Sequence, residues 1–131
     1  MAAALLMAQF EDILTRNISI AFFVPGIVYL ADAIGTQTEA IAVRGLSLSH
    51  AGIMHLLAGE LRTGLLLGAI LGTIAFGGAW LATGDARLSA AVALSLMVAS
   101  ALASAIGLIL PWLFARLGQD PAYGSGPLAT I

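Results

Sequence analysis

The sequence predicts an all-α fold, a bundle of helices that crosses a membrane several times. Of its 131 residues, 60% are hydrophobic and only 9% are charged, whereas soluble globular domains average about 25% charged residues. Three apolar segments also reach the roughly 20 residues that a helix needs to cross a bilayer. These predicted spans cover residues 17–43, 63–82 and 88–114. We therefore predict a single multi-pass domain over residues 1–131, surrounded by membrane lipid.

The first predicted span is the only one with acidic side chains in its interior. Pro25 and Gly26 are expected to kink it. In a helix, Asp32, Thr36 and Glu39 fall on one stripe, because steps of four and three residues return to the same face. Carboxylates are costly in hydrocarbon and usually face a bundle interior or a water-filled path. The stripe therefore predicts a polar path through the membrane.

Each polar residue of this span also has a structural alternative. Asp32 could be a buried acid that pairs with a neighbouring helix. Glu39 is five residues from Arg44 and could be an ordinary acid near the membrane surface. Thr36 and Gln37 could instead bond to backbone carbonyls or to another helix.

The second and third spans carry small residues at helical spacing. Gly64, Gly68 and Gly72 recur every four residues in the second span. The third repeats the pattern with small side chains at Ala99, Ala103 and Gly107, beside Ser100 and Ser104. Such faces let helix backbones approach closely. We predict that both serve packing only.

Two connections join the spans. Residues 45–61 mix polar and apolar side chains, which predicts a short helix on the membrane surface. Arginine is slightly more frequent on this side, which favours a cytoplasmic location, and residues 83–87 are then the external hairpin. His50 and His55 are five residues apart, a poor spacing for one helical face, and are predicted to be solvated rather than metal ligands.

Two shorter apolar segments, residues 2–14 and 121–131, are predicted to be parts of a first and a fifth helix. The second runs apolar to Ile131 without a polar tail, so we expect both ends of the chain to be cut. Asp120 stands immediately before Pro121. It is predicted either to cap the last helix or to lie at the mouth of the polar path.

Composition excludes several functions. The chain has no cysteine, which excludes disulfides, thiolate metal sites and cysteine nucleophiles. Its net charge of -2 without a basic cluster argues against a nucleic-acid partner. The sequence contains no catalytic motif or phosphate loop of the known kinds. We therefore predict that it is not an enzyme and has no organic cofactor.

Several short motifs resemble the membrane domain of the MgtE magnesium transporter family. The second helix of that family has a proline, a Gly-Gly-Asn-x-Gly-x-Gln core and an Arg-Gly-Leu exit. The corresponding residues here, at the same spacing, are Pro25, Gly35-Thr36-Gln37-Thr38 and Arg44-Gly45-Leu46. Further matches follow in the family's order at Glu60-Leu61-Arg62-Thr63-Gly64, Gly107-Leu108-Ile109-Leu110-Pro111 and Asp120-Pro121-Ala122. One departure is that the family's Gly-Gly-Asn falls on Ala31-Asp32-Ala33.

The resemblance implies a homodimeric domain of five helices per subunit in a bacterial or archaeal inner membrane. It further implies that the transported ion is a divalent cation, with Mg²⁺ expected, and that the path lies between subunits along the second and fifth helices. Magnesium prefers oxygen ligands and keeps part of its water shell. The residues expected to line the path or its mouth are Asp32, Thr36, Gln37, Glu39 and Asp120. The alternative hypothesis is a non-conducting assembly module or an inactive fragment of a cation transporter.

Overall fold

Three long helices make up the described part of the chain. The computed structural model describes residues 8–11, 15, 18–48 and 53–122. Helix α1 is Ile18–Leu48, α2 is Ile53–Thr83 and α3 is Ala86–Arg116, each of 31 residues. All three are long and apolar enough to cross a membrane. This confirms the predicted all-α membrane fold.

A tight hairpin joins α2 to α3. Gly84 adopts a φ of +68°, a conformation that costs glycine little because it has no Cβ. Asp85 then caps α3, with its Oδ1 accepting bonds from Arg87 N at 2.8 Å and Leu88 N at 3.2 Å. These bonds satisfy backbone donors that have no partner within the helix. The chain therefore reverses direction at residues 83–86, and α2 and α3 run antiparallel.

Helix α3 is the centre of the fold. Both α1 and α2 pack along it, whereas α1 and α2 make few contacts with each other. Gly64, Gly68 and Gly72 are buried on the α2 side of this interface. Ser100 and Ser104 face them from α3 and are fully buried. This confirms that the glycine stripe of the second span is a packing face.

The same helix presents a different pair of small residues to α1. A Cβ placed on Gly35 would lie 3.3 Å from Ala103 Cβ, and one on Gly107 would lie 2.5 Å from the carbonyl oxygen of Gly35. Thr38 is buried beside this contact and lies 3.5 Å from Ser104 across the interface, between the two hydroxyl oxygens. Ala103 and Gly107 thus contact α1, Ser100 contacts α2, and Ser104 contacts both helices.

One expectation about the connections needs correction. The predicted surface helix over residues 45–61 is not a separate element, because α1 continues to Leu48 and Ile53 is already the first residue of α2. The described polar residues of this segment belong to the ends of α1 and α2, since polar side chains suit helix ends at the membrane surface. Helix α1 is one element that contains Pro25, and the kink expected there stays a prediction. His50, most of residues 2–14 and residues 123–131 lie outside the described part.

The end of α3 is shaped by a glycine. Gly118 has a φ of +72°, and Gln119 N donates to Phe114 O at 2.9 Å while Gly118 N donates to Ala115 O at 3.2 Å. This pair of bonds is the Schellman arrangement that ends helices. The Arg116 guanidinium lies 4.6 Å from the centre of the Trp112 ring. Aromatic and basic residues of this kind are typical of the membrane surface.

Candidate functional site

The polar stripe predicted from the sequence lies on the side of α1 that points away from α3. Asp32, Thr36 and Gln37 are exposed and Glu39 is half-buried. Residues on the other side of the same helix are buried against α3; these are Ala31, Ile34, Gly35, Thr38 and Ala42. The helix is therefore divided lengthwise into a packed face and an open polar face.

Asp32 and Thr36 are one helical turn apart, and a hydrogen bond joins the Thr36 side chain to the Asp32 backbone. The Thr36 hydroxyl donates to the carbonyl oxygen of Asp32 at 3.0 Å, with a second acceptor, Ala33 O, at 3.1 Å. Because its proton is directed to the backbone, the hydroxyl can offer only lone pairs to a ligand on the open face. Oxygen lone pairs beside a carboxylate are the ligands that hard cations prefer.

Glu39 lies at the boundary between the polar and the packed faces. It is seven residues from Asp32, which is about 10 Å along a helix axis. Its backbone nitrogen lies 3.2 Å from the point where a Cβ on Gly107 would stand. The position of this acid therefore depends on how closely α1 and α3 approach.

Asp120 is exposed beyond the end of α3. Its Oδ1 accepts a hydrogen bond from Ala122 N at 2.9 Å. This is the bond expected of a residue that caps a following turn. Whether Asp120 caps the last helix or lies at the mouth of the path stays a prediction, because residues 123–131 lie outside the described part. One carboxylate oxygen, Oδ2, is not used by this bond.

The stripe does not form a closed metal cage within one chain. In the described part of the chain, no three His, Asp or Glu side chains lie close enough together to hold a metal ion. An open row of oxygen atoms can contact a hydrated ion through its water shell, because Mg²⁺ gives up its water reluctantly.

Thr38 and Gly35 were not predicted to matter for packing, yet they fix the orientation of the stripe. Both face α3, and they lie next in sequence to Gln37 and Thr36, which point away from it. The sequence did contain a signal for this packed face. Its residues recur at the intervals of one helical face, at Ala31, Ile34, Thr38 and Ala42.

The fold and this site define a class: a multi-pass protein of the cell membrane with a row of oxygen-bearing side chains along one spanning helix. The family model for MgtE, described as "Divalent cation transporter", matches residues 24–131. The chain therefore belongs to the MgtE family, as the motifs around Pro25 and Arg44 predicted.

Curated relatives agree with this assignment. The chain is 33% identical over 95% of its length to the "Magnesium transporter MgtE" of Bacillus subtilis (strain 168). It is 30% identical to the proteins of the same name from Enterococcus faecalis and Thermus thermophilus, over 99% and 98% of its length. The matched regions cover 28% to 29% of these relatives. The chain thus spans less than a third of their length.

Proposed function

We propose that this chain is the membrane domain, or part of it, of a transporter that carries divalent cations, most specifically Mg²⁺. The observation that carries the proposal is the open polar face of α1 in a member of the MgtE family. An exposed acid on a membrane helix is costly unless it meets water, a partner or an ion. In a path for a hydrated cation, the acid would meet water, a partner and an ion.

Asp32 has the central role in this proposal. It attracts the cation, while the Thr36 hydroxyl and Gln37 side chain offer neutral oxygens one turn further along. Glu39 extends the row further toward the C-terminal end of α1, and Asp120 lies at the mouth of the path. Metal-bound water can hydrogen-bond to these oxygens, so the ion need not lose its full hydration shell.

The path is proposed to form between two copies of the chain. One copy leaves the stripe open on one side, and a twofold axis would place a second set of the same oxygens opposite it. Tyr29 continues the stripe, one turn from Asp32, and is 74% exposed.

Uptake measurements test the role of Asp32. The protein containing this sequence is expressed in cells that lack their own magnesium transporters, and Mg²⁺-dependent growth and uptake are measured. Asp32→Asn keeps the size of the side chain but removes its charge, and we expect uptake to fall about tenfold, equivalent to about 1.4 kcal/mol. Glu60→Gln is the control, since it removes an acid that lies off the stripe. If the well-expressed parent protein fails to transport Mg²⁺, the non-conducting assembly module becomes the better explanation.

Cross-linking tests the dimer separately. Because the chain has no cysteine, single-cysteine variants report one position each. We expect Tyr29→Cys to form a disulfide-linked dimer in oxidised membranes. Leu66→Cys, which is also exposed at 66% on α2, is expected to stay monomeric on a denaturing gel. Equal cross-linking at both positions would indicate random collision rather than an interface along α1.

A further inference from the structure

A polar cavity and an apolar cavity lie along the same three helices near the hairpin between α2 and α3. The polar cavity has a volume of about 430 Å³. Its lining includes Ser19 of α1, Thr83 at the end of α2, and Asp85, Arg87 and Leu88 of the hairpin and α3. The charged groups place this cavity at the end of the bundle.

The apolar cavity has a volume of about 130 Å³. It is lined by Phe23, Gly26 and Leu30 of α1, Ala75 of α2, and Val92 and Leu96 of α3. It exists because α1 and α2 both pack on α3 but hardly touch each other. Gly26 contributes no side chain, and a Cβ placed there would meet nothing within 4 Å.

Helical spacing places the apolar cavity in line with the polar one, further into the bundle. Ser19 and Phe23 are four residues apart, as are Leu88 and Val92, and Thr83 is eight residues from Ala75. Steps of four residues stay on one helical face. The two cavities therefore follow each other along the same helix faces, polar at the end of the bundle and apolar toward the interior, and together they are called the cleft below.

The rim of the cleft carries one charge of each sign. The Arg87 side chain is exposed, and a guanidinium pairs strongly with phosphate oxygens. The Asp85 carboxylate uses Oδ1 to cap α3, which leaves Oδ2 outside these two bonds. A phosphate joined to an ammonium group matches this pair of charges.

We propose that this cleft binds one phospholipid with a zwitterionic phosphoethanolamine headgroup. Arg87 holds the phosphate, Asp85 attracts the ammonium group, and one acyl chain enters the apolar cavity beside Gly26. A free phosphate ion would leave the apolar cavity unused, so the lipid is the better match. The site is separate from the polar stripe of α1, and its test does not require ion transport.

The test is lipid retention by the full chain purified in detergent. The protein is mixed with vesicles of phosphatidylethanolamine and phosphatidylglycerol in equal amounts, and bound lipid is measured by native mass spectrometry. We expect phosphatidylethanolamine to be retained preferentially. Arg87→Gln is expected to reduce its binding about tenfold through loss of the charge-assisted bond. Arg62→Gln, an exposed arginine at the opposite end of the bundle, is expected to change nothing.

Two further variants separate headgroup from chain. Asp85→Asn preserves helix capping but removes the negative charge, so the preference is expected to move toward phosphatidylglycerol. Gly26→Leu fills the apolar cavity and is expected to weaken binding of both lipids. Gly77→Leu is its control, because a Cβ there also meets nothing within 4 Å and Gly77 lines neither cavity.

Three results would overturn the proposal. One is equal retention of both lipids by the parent chain and by Arg87→Gln. Another is displacement of the lipid by inorganic phosphate, which would indicate a phosphate-ion site. The third is the absence of retained lipid in the folded parent protein, which would mean that the cleft is closed or occupied by another part of the chain.

Discussion

At the scale of single residues, three glycines of α2 decide how closely it approaches α3. A Cβ on Gly64 would lie 2.5 Å from Ser104 Oγ and 3.0 Å from Ser100 O. A Cβ on Gly68 or Gly72 would also meet backbone atoms of α3 within 3.0 Å. In lipid, helix association depends on close packing rather than on the hydrophobic effect. These positions are therefore expected to tolerate little added volume.

Gly64→Ala tests this tolerance. We expect it to destabilise the protein by about 1–3 kcal/mol, since overpacking forces the helices apart. The measurement is the temperature at which the detergent-purified protein loses its monodisperse peak. Gly77→Ala, at an open position of the same helix, is the control and is expected to change this temperature little.

A second substitution can relieve the same clash. Ser104→Gly removes both side-chain atoms that the new methyl group of Gly64→Ala would meet, leaving only the Ser100 carbonyl nearby. The double variant is therefore expected to recover part of the lost stability. If the two effects simply add, the clash at Ser104 is not the cause.

At the scale of elements, the contact between α1 and α3 determines where the polar stripe points. Gly35, Thr38 and Gly107 are all part of this contact. Because the packed and polar faces belong to one rigid helix, a shift of the packed face moves Asp32 and Glu39 as well. Residues that never touch an ion can thus affect the geometry of the proposed path.

Gly107→Ala is the variant that tests this coupling. Its methyl group would lie 2.5 Å from the Gly35 carbonyl oxygen, and a backbone atom cannot move aside without moving α1. We expect Mg²⁺ uptake to fall about tenfold, corresponding to about 1.4 kcal/mol, with a changed preference between Mg²⁺ and the larger Ca²⁺.

The comparison with Gly64→Ala separates geometry from stability. Both variants are expected to destabilise the bundle, but only Gly107→Ala displaces the polar helix directly. If both lose uptake equally and neither alters ion preference, the effect is one of stability alone.

At the scale of the whole molecule, many of the large apolar side chains in the described part are exposed. Large side chains such as Phe22, Leu66, Ile74 and Leu81 are more than 60% exposed, which is the normal state of residues that face lipid. The charged groups occur instead near the helix ends and on the stripe of α1. This distribution indicates that the helix axes cross the membrane. The arginine bias predicts which end of the helices is cytoplasmic.

Cysteine labelling of intact cells tests that orientation. Ala86→Cys places a thiol at the exposed hairpin between α2 and α3, and Ala58→Cys places one at the exposed opposite end of α2. We expect a membrane-impermeant maleimide to label Ala86→Cys in intact cells and Ala58→Cys only after permeabilisation. The reverse pattern would invert the predicted topology.

The sequence alone determined the class of fold, the family and the candidate ligands. Low charge and long apolar segments require helices in a bilayer, because only internal hydrogen bonding satisfies the backbone there. The spacing of Asp32, Thr36 and Glu39 placed them on one face, and the glycine pattern identified Gly64, Gly68 and Gly72 as packing residues. These properties are local and follow from helical periodicity.

Only the tertiary structure decided which helices meet and which faces remain open. The sequence marked small residues in α3 but did not show that Ser100 faces α2, that Ala103 and Gly107 face α1, or that Ser104 contacts both helices. It also left open whether Asp32 is buried or exposed, and it gave no sign of the cleft beside Gly26. Partner choice depends on close backbone approach between segments distant in sequence, which local periodicity does not encode.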